Sequence, residues 1–253
     1  MEVYVAGAFG SRRPGMNLST FVIDDIVVID CGALFSGDVK LDKVKAVFLT
    51  HCHADHIKDL PFFIDVFPFE DFRKEPLTVF GNDEVIDVLN RHLFNGKVWP
   101  EIDKLKLEND APAVVLREVK LFCPFKFEDY TVIPTPANHT VKTNGYAIFR
   151  NGKGVMISGD TYRCDEMWRF LLAEKEIKAF FVDVSYPSER RELSSIALHY
   201  NSDELIKDIE RFSAKEKLNI YAYHLKYPFA DEIKVELEKS GIFSLYDGQR
   251  IKV

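Results

Sequence analysis

Apolar residues fall in short blocks separated by polar stretches bearing Gly and Pro, and most blocks have the length of strands. Residues 3–6, 18–23 and 26–30 read as strands, the last two joined through Asp24-Asp25 in a hairpin-like pattern. Gly7, Gly10, Pro14 and Gly15 mark the intervening segment as a loop. Residues 44–50 (VKAVFLT) form a nearly continuous apolar run rich in β formers, as expected of a strand buried on both faces. That run leads directly into His51-Cys52-His53-Ala54-Asp55-His56.

Farther along, Ile57, Leu60, Phe63 and Ile64 recur at helical spacing, residues 77–81 read as a strand, and 83–93 read as a helix capped by Asn82. A strand at 130–135 ends in a Pro-rich loop carrying His139. Strands at 146–150 and 155–158 flank Asn151-Gly152, a hairpin-turn signal, and the second runs into Gly159-Asp160. Residues 179–184 form another buried strand. A helix at 202–212 presents Leu205, Ile206, Ile209 and Phe212 behind a capping box of Asn201 and Glu204. The strand at 220–223 ends at His224, and a helix around Ile233 and Leu237 precedes a last strand pair. With no internal repeat, low-complexity tract or linker, residues 1–253 are expected to form one domain. His51, His139, Asp160 and His224 each follow closely on a strand, where a sheet edge would gather them in one crevice.

Composition narrows the partners. The 253 residues are 47% hydrophobic and 29% charged, ordinary for a folded globular chain of this size. With 40 acidic residues against 33 basic, the net charge is −7, which argues against broad phosphate-backbone binding, so nucleic acid is an unfavoured partner and a small one is expected. Cys31, Cys52, Cys123 and Cys164 show no C-x-x-C pairing and read as free thiols in the cytoplasm. Neither a signal-peptide pattern at the start nor any apolar run of membrane-spanning length is seen.

The hexapeptide carries the chemistry. An extended stretch sends His51 and His53 the same way, and a following turn into helix sends Asp55 and His56 off in another direction from a nearby point. Two ligands can thus face each of two neighbouring metal ions. Imidazole and carboxylate donors favour Zn2+, with Mn2+ or Fe2+ as alternatives. His139, Asp160 and His224 are each weak signals alone; together they complete two coordination shells, and Asp160 has two oxygens with which to bridge.

Set out as Ile29-Asp30-Cys31-Gly32, His51 to His56, His139, Ser158-Gly159-Asp160 and His224, these motifs resemble the metallo-β-lactamase fold superfamily along nearly the whole chain. The resemblance implies an α/β fold, a four-layer αββα sandwich with the site along one edge of two sheets. It implies that His51, His53 and His139 hold one metal, that Asp55, His56 and His224 hold the other, and that Asp160 bridges. Asp30 would support a ligand imidazole through its other nitrogen, unless it is only a turn residue at a strand end.

Within the superfamily, class II cyclic-nucleotide phosphodiesterases are similar in further segments: His56-Ile57-Lys58-Asp59-Leu60-Pro61-Phe62, His92-Leu93-Phe94-Asn95 with Trp99-Pro100, Val184-Ser185-Tyr186-Pro187 before His199, and His224-Leu225-Lys226. Ala54, Asp59, Tyr162-Arg163 and Ala197-Leu198 depart from that pattern and bear on the exact substrate. His199 also resembles a motif histidine of tRNase Z, the alternative RNA phosphodiesterase reading; without a basic surface or protruding arm the chain suits it less well.

The resulting expectation is a binuclear phosphodiesterase that opens a 3′,5′-cyclic nucleotide to the 5′-monophosphate. Two cations about 3.5–4 Å apart make a shared water acidic enough to supply hydroxide. His199 would protonate the leaving alkoxide and contact substrate, Lys226 would hold the phosphate, and Asp55 joins His199 as a catalytic candidate. The plain alternatives are a histidine at a helix start for His199 and a solvated lysine for Lys226. Thioester or lactone hydrolysis and a non-catalytic metal-binding protein are the remaining readings. A base could stack on one of Phe62, Phe63, Phe67, Phe69 and Phe72, but at such density they read rather as core or as a subunit interface, which would make a homodimer.

Overall fold

In the computed structural model, which describes residues 1–67, 75–214 and 218–253, the strands form two seven-stranded sheets. The first contains β1 (Glu2–Gly7), β2 (Thr20–Ile23), β3 (Val27–Ile29), β4 (Ala46–Phe48), β5 (Leu77–Gly81) and β6 (Val114–Glu118). The second contains β7 (Phe125–Phe127), β8 (Tyr130–Pro136), β9 (Asn144–Arg150), β10 (Lys153–Ile157), β11 (Ile177–Asp183), β12 (Asn219–Tyr223) and β13 (Phe243–Ser244), while β14 (Arg250–Lys252) returns to the first sheet beside β1. Each sheet is antiparallel among its earlier strands and parallel from β3 to β6 and from β10 to β13. The sequence treats the last two strands as a pair; they are instead divided between the sheets. Each meets an edge already in place, and Tyr246 to Gln249 supply the crossing.

Strand alternation builds the layers. Ala46 and Phe48 face the second sheet, whereas Val47 and Leu49 face the opposite way, onto α1 (Ala54–Ile57), α2 (Leu60–Val66) and α3 (Asp83–Val88). Between the sheets Phe21 packs edge-on against Phe181 and Tyr223 at 5.5 and 4.9 Å, and Phe48 meets Tyr146 at 5.4 Å. On the far side α4 (Asp165–Ala173), α6 (Ser202–Arg211) and α7 (Ala230–Lys239) bury Trp168, Leu205, Ile209, Ile233 and Leu237 against the second sheet. The result is the expected αββα sandwich. A short α5 (Arg191–Ala197) lies between β11 and α6.

Local signals set several boundaries. Asn82 accepts from Val85 N and Asn201 from Glu204 N, so both read caps form. Glu204 does not complete a box, because its carboxylate pairs with Arg163 and Arg191. The helix expected at 83–93 stops at Val88 and widens into a looser turn over Leu89–Leu93, ending where Phe94 is drawn into the core. Asn151 and Gly152 both take positive φ in the tight β9–β10 turn. Of the aromatic run, Phe63 and Phe67 are core and Phe62 is 51% exposed; Phe69 and Phe72 lie outside the described residues. Among the described residues no helix is long and apolar enough to cross a membrane.

Candidate metal centre

All seven residues of the two expected shells come together at the ends of strands β4, β8, β10 and β12. His51 leaves the end of β4 and His53, still extended at φ −63° and ψ 145°, caps α1, which carries Asp55 and His56 on its single turn. That change from extended chain to helix separates the hexapeptide's side chains into two directions. In one group, donor atoms of His51, His53, His139 and Asp160 lie within 4.8 Å of one another; in a second, so do those of Asp55, His56, Asp160 and His224.

Asp160 Oδ2 is common to both groups. It stands 3.6 and 3.8 Å from His51 Nε2 and His139 Nε2, and 3.3 and 3.4 Å from His56 Nε2 and His224 Nε2. Asp55 Oδ2 lies 3.4 Å from His224 Nε2, and His53 Nδ1 lies 3.2 Å from His139 Nε2. Two glycines make room. A Cβ on Gly159, at φ +68°, would come within 2.9 Å of Asn144 O, and one on Gly10 would lie 2.5 Å from the His224 ring.

The outer nitrogens of four rings are anchored so that lone pairs point inward. His56 Nδ1 donates to Asp30 Oδ2 at 2.7 Å and His139 Nδ1 to Leu198 O at 3.0 Å, since neither acceptor can donate. Thr50 Oγ1 donates to Asp30 Oδ2 and therefore accepts from His51 Nδ1; Ser185 Oγ donates to Asp183 Oδ1 and therefore accepts from His224 Nδ1. Each ring is thereby fixed with Nε2 free to accept. Among the described residues, His51 Nε2 and Asp160 Oδ1 are buried with no hydrogen-bond partner, a costly state for acceptors unless a cation meets them. The donor set of imidazoles and carboxylates therefore fits divalent ions.

Electrostatics divides the two groups. Burial, with the neighbouring rings, holds His51 well below the usual imidazole range, and burial likewise lowers His53 and His139, which keeps their lone pairs available. Burial would lower His56 and His224 too. There the carboxylates win: Asp160 and Asp30 raise His56 well above its ordinary range, and Asp160, Asp183 and Asp55 push His224 up to about 9. Asp160 is held far below the carboxylate range by His224, His56 and His51 despite its burial. Without ions, protons supply the positive charge that the carboxylates demand.

His199 and Lys226 adjoin this cluster. Leu198, at φ +51°, turns the chain so that His199 stacks on His224 with centroids 5.1 Å apart. His199 Nδ1 donates to Asp183 Oδ2 at 2.7 Å, and its Nε2 faces Lys226 Nζ at 3.2 Å. Lys226 thus points inward, over the Tyr186 ring as well. His92 is exposed on the turn after α3, and Trp99 packs against Phe62.

Sequence reasoning does not single out Asp183, and Ser185 stands out only within the segment Val184-Ser185-Tyr186-Pro187, with no role attached. Asp183 touches His199, His224, Thr161 N and Ser185 together, and burial is overcome by those histidines to hold it at about 2. Asp183 does carry a signal: it is an acid closing the buried strand AFFVD, at a strand end like His51, His139, Asp160 and His224.

Similar structures and sequences fit this geometry. The chain is similar in fold to the crystal structure of unliganded yeast PDE1, with a TM-score of 0.78 and 17% identity over 100% of this chain and 99% of that one. It is 30% identical over 101 residues to a 3′,5′-cyclic-nucleotide phosphodiesterase of Schizosaccharomyces pombe, covering 38% of this chain, and 32% identical over 109 residues to a ribonuclease Z of Leuconostoc mesenteroides, covering 42%. These matches span only 25% and 30% of those two relatives' own lengths. Residues 27–220 match the family described as beta-lactamase superfamily domain, well over half of the chain, and the protein accordingly belongs to that superfamily, with the metallo-β-lactamase fold.

Proposed function

We propose that residues 1–253 act as one phosphodiesterase domain that opens a 3′,5′-cyclic nucleotide to its 5′-monophosphate. His51, His53 and His139 would hold one divalent ion, Asp55, His56 and His224 a second, and Asp160 both. Zn2+ suits these donors, with Mn2+ or Fe2+ as alternatives. Bound there, such ions supply a water acidic enough to ionise near neutral pH and positive charge for the phosphoryl oxygens.

The observation that carries the proposal is the His199–Lys226 pair beside the two shells, at 3.2 Å, with Asp183 behind His199. A phosphodiester needs what this pair offers. Lys226 is a point charge for the anionic phosphate. His199 Nε2, once protonated and steadied by Asp183, gives its proton to O3′ as the P–O3′ bond breaks and the water oxygen joins phosphorus. Asp55, whose side chain is 30% exposed at the mouth, accepts from the attacking water and orients it. The reacting carbonyl of a thioester or lactone is uncharged before attack, so it gives Lys226 no bound anion to hold as a phosphodiester does.

The net charge of −7 favours a small phosphodiester over RNA. Four free cysteines support residence in the cytoplasm, and exposed Phe62 and Val66 on α2 support a homodimer. The test is a product-resolved screen of cyclic nucleotides, cyclic dinucleotides and pre-tRNA with zinc- and manganese-loaded protein, beside a thioester and a lactone. A 5′-monophosphate from a cyclic nucleotide is the expected product. Cleavage of pre-tRNA alone would establish the RNA reading, ester turnover alone the carbonyl reading, and no turnover a metal-binding protein without catalysis.

A further inference from the structure

A cavity of about 500 Å³ adjoins the metal centre on the side of His139, lined among others by Glu84, Leu121, Asn138, His139, Thr140 and Lys142. Its volume is within the usual range for small-molecule sites. One wall is the loop from β8 to β9 that carries His139; the opposite wall is the start of α3, and Leu121, from the loop between β6 and β7, adds an apolar surface that is 41% exposed.

The polar groups of this cavity are unequally committed. Lys142 pairs with Asp83, and Asn138 Nδ2 donates to Arg163 O at 3.0 Å. Among the described residues the Glu84 carboxylate has no hydrogen-bond or ion-pair partner, and neither has the Thr140 hydroxyl. Glu84 also lies close to the metal motif. The thiol of Cys52, between His51 and His53, donates to the carbonyl of Val85, the residue after Glu84, at 3.7 Å.

We infer that this cavity is the base-binding subsite and that Glu84 selects guanine. The inference rests on the phosphodiesterase reading, which puts the phosphate at the ions and leaves the nucleoside to find an adjoining pocket. A carboxylate only accepts hydrogen bonds, and it has two oxygens side by side. Guanine alone among the common bases offers two adjacent donors, N1–H and the N2 amino group, on its pairing edge. Adenine, cytosine and uracil each present a donor beside an acceptor, so one carboxylate oxygen would face a lone pair. Leu121 supplies an apolar face for the ring, and Thr140 a hydroxyl that can donate or accept.

Glutamine tests this by reversing the pattern while keeping the shape. Its amide offers one donor and one acceptor, which mismatches the N1–H and N2 donor pair of guanine and matches the donor–acceptor edge of uracil. Metal-loaded wild type should turn over cyclic GMP in preference to cyclic UMP, and in Glu84→Gln the ratio of the two kcat/KM values should fall by about tenfold or more. General damage would lower both rates and leave the ratio unchanged, and that result overturns the inference. Calorimetric binding of GMP and UMP to the same metal-loaded proteins separates the pocket from the reaction. GMP binding that weakens by about tenfold in Glu84→Gln, with no cyclic nucleotide turned over, keeps the subsite and rejects the cyclic-nucleotide activity. GMP binding equal to that of UMP in wild type, or unaffected by Glu84→Gln, rejects the subsite.

Discussion

Replacing Asp30 by asparagine tests whether the ring orientations of the metal centre are set from behind. Asp30 is 2% exposed; its Oδ1 accepts from Thr50 N at 2.8 Å, and its Oδ2 accepts from Thr50 Oγ1 at 2.8 Å and His56 Nδ1 at 2.7 Å. Its φ is +58°, a conformation asparagine tolerates, so the backbone should survive the change. With Oδ1 kept on Thr50 N, the new amide NH2 would face the His56 Nδ1–H, donor against donor. His56 can escape by moving its proton to Nε2, the nitrogen that faces Asp160 and would otherwise ligate an ion. A hydrogen bond to a charged partner is worth about 1.5–3 kcal/mol, and loss of an outer partner of a metal ligand typically weakens binding about 10- to 100-fold. The expected outcome is a folded protein that binds one divalent ion about 10- to 100-fold more weakly. Titration against a chromophoric chelator measures it, with circular dichroism confirming the fold. Two ions bound at wild-type affinity by folded Asp30→Asn would refute the reasoning.

His199→Ala should slow a substrate that leaves as a ribose alkoxide by about 10²–10⁴ while barely changing a p-nitrophenyl ester, whose leaving group needs no proton; equal losses at matched metal content would leave His199 a structural role. In chelator-treated protein, His224 is stabilising as a cation below its ordinary 6.5, and that contribution is lost as pH rises through its folded value of about 9. Thermal melts with chelator should therefore fall between those pH values while metal-loaded protein does not follow, and parallel profiles would contradict the proton-for-ion exchange. Asp24 works in the opposite sense: burial would raise it, but hydrogen bonds from Glu2 N, Tyr130 and Arg150 hold it below its ordinary 3.8. Its contribution is present above that value and lost as pH falls below it, so the stability gap between wild type and Asp24→Asn in urea titrations should close in acid; a gap that persists at pH 2–3 would disprove the pairing.

Local physics made much of this protein legible in one dimension. Continuous apolar runs such as 44–50 and 179–184 are buried strands because both faces of a sandwiched sheet exclude water, and the Asn82 and Asn201 caps depend only on residues two or three positions away. The turn from extended chain to helix within His51–His56 is likewise local, so the division of its side chains into two directions could be read from spacing. Convergence of His139, Asp160 and His224 on that motif could be suspected from their places after strands, since parallel strands deliver their ends to one edge.

Tertiary structure decided what depends on contacts remote in sequence. The final strands separated because each found an open edge on a different sheet, a choice that alternation of apolar residues does not encode. Which nitrogen of His56, His224 and His139 faces inward was settled by Asp30, Ser185 and Leu198, reached across 26, 39 and 59 positions. Asp183 looked like any strand-end acid until folding set it beneath both His199 and His224, and Lys226 could have faced solvent until the β12 end placed it against His199. A single sequence shows what each residue can donate, accept or ionise. The partner that makes it do so is chosen by packing, because hydrogen bonds and charge pairs act over a few ångströms of space and not over positions along the chain.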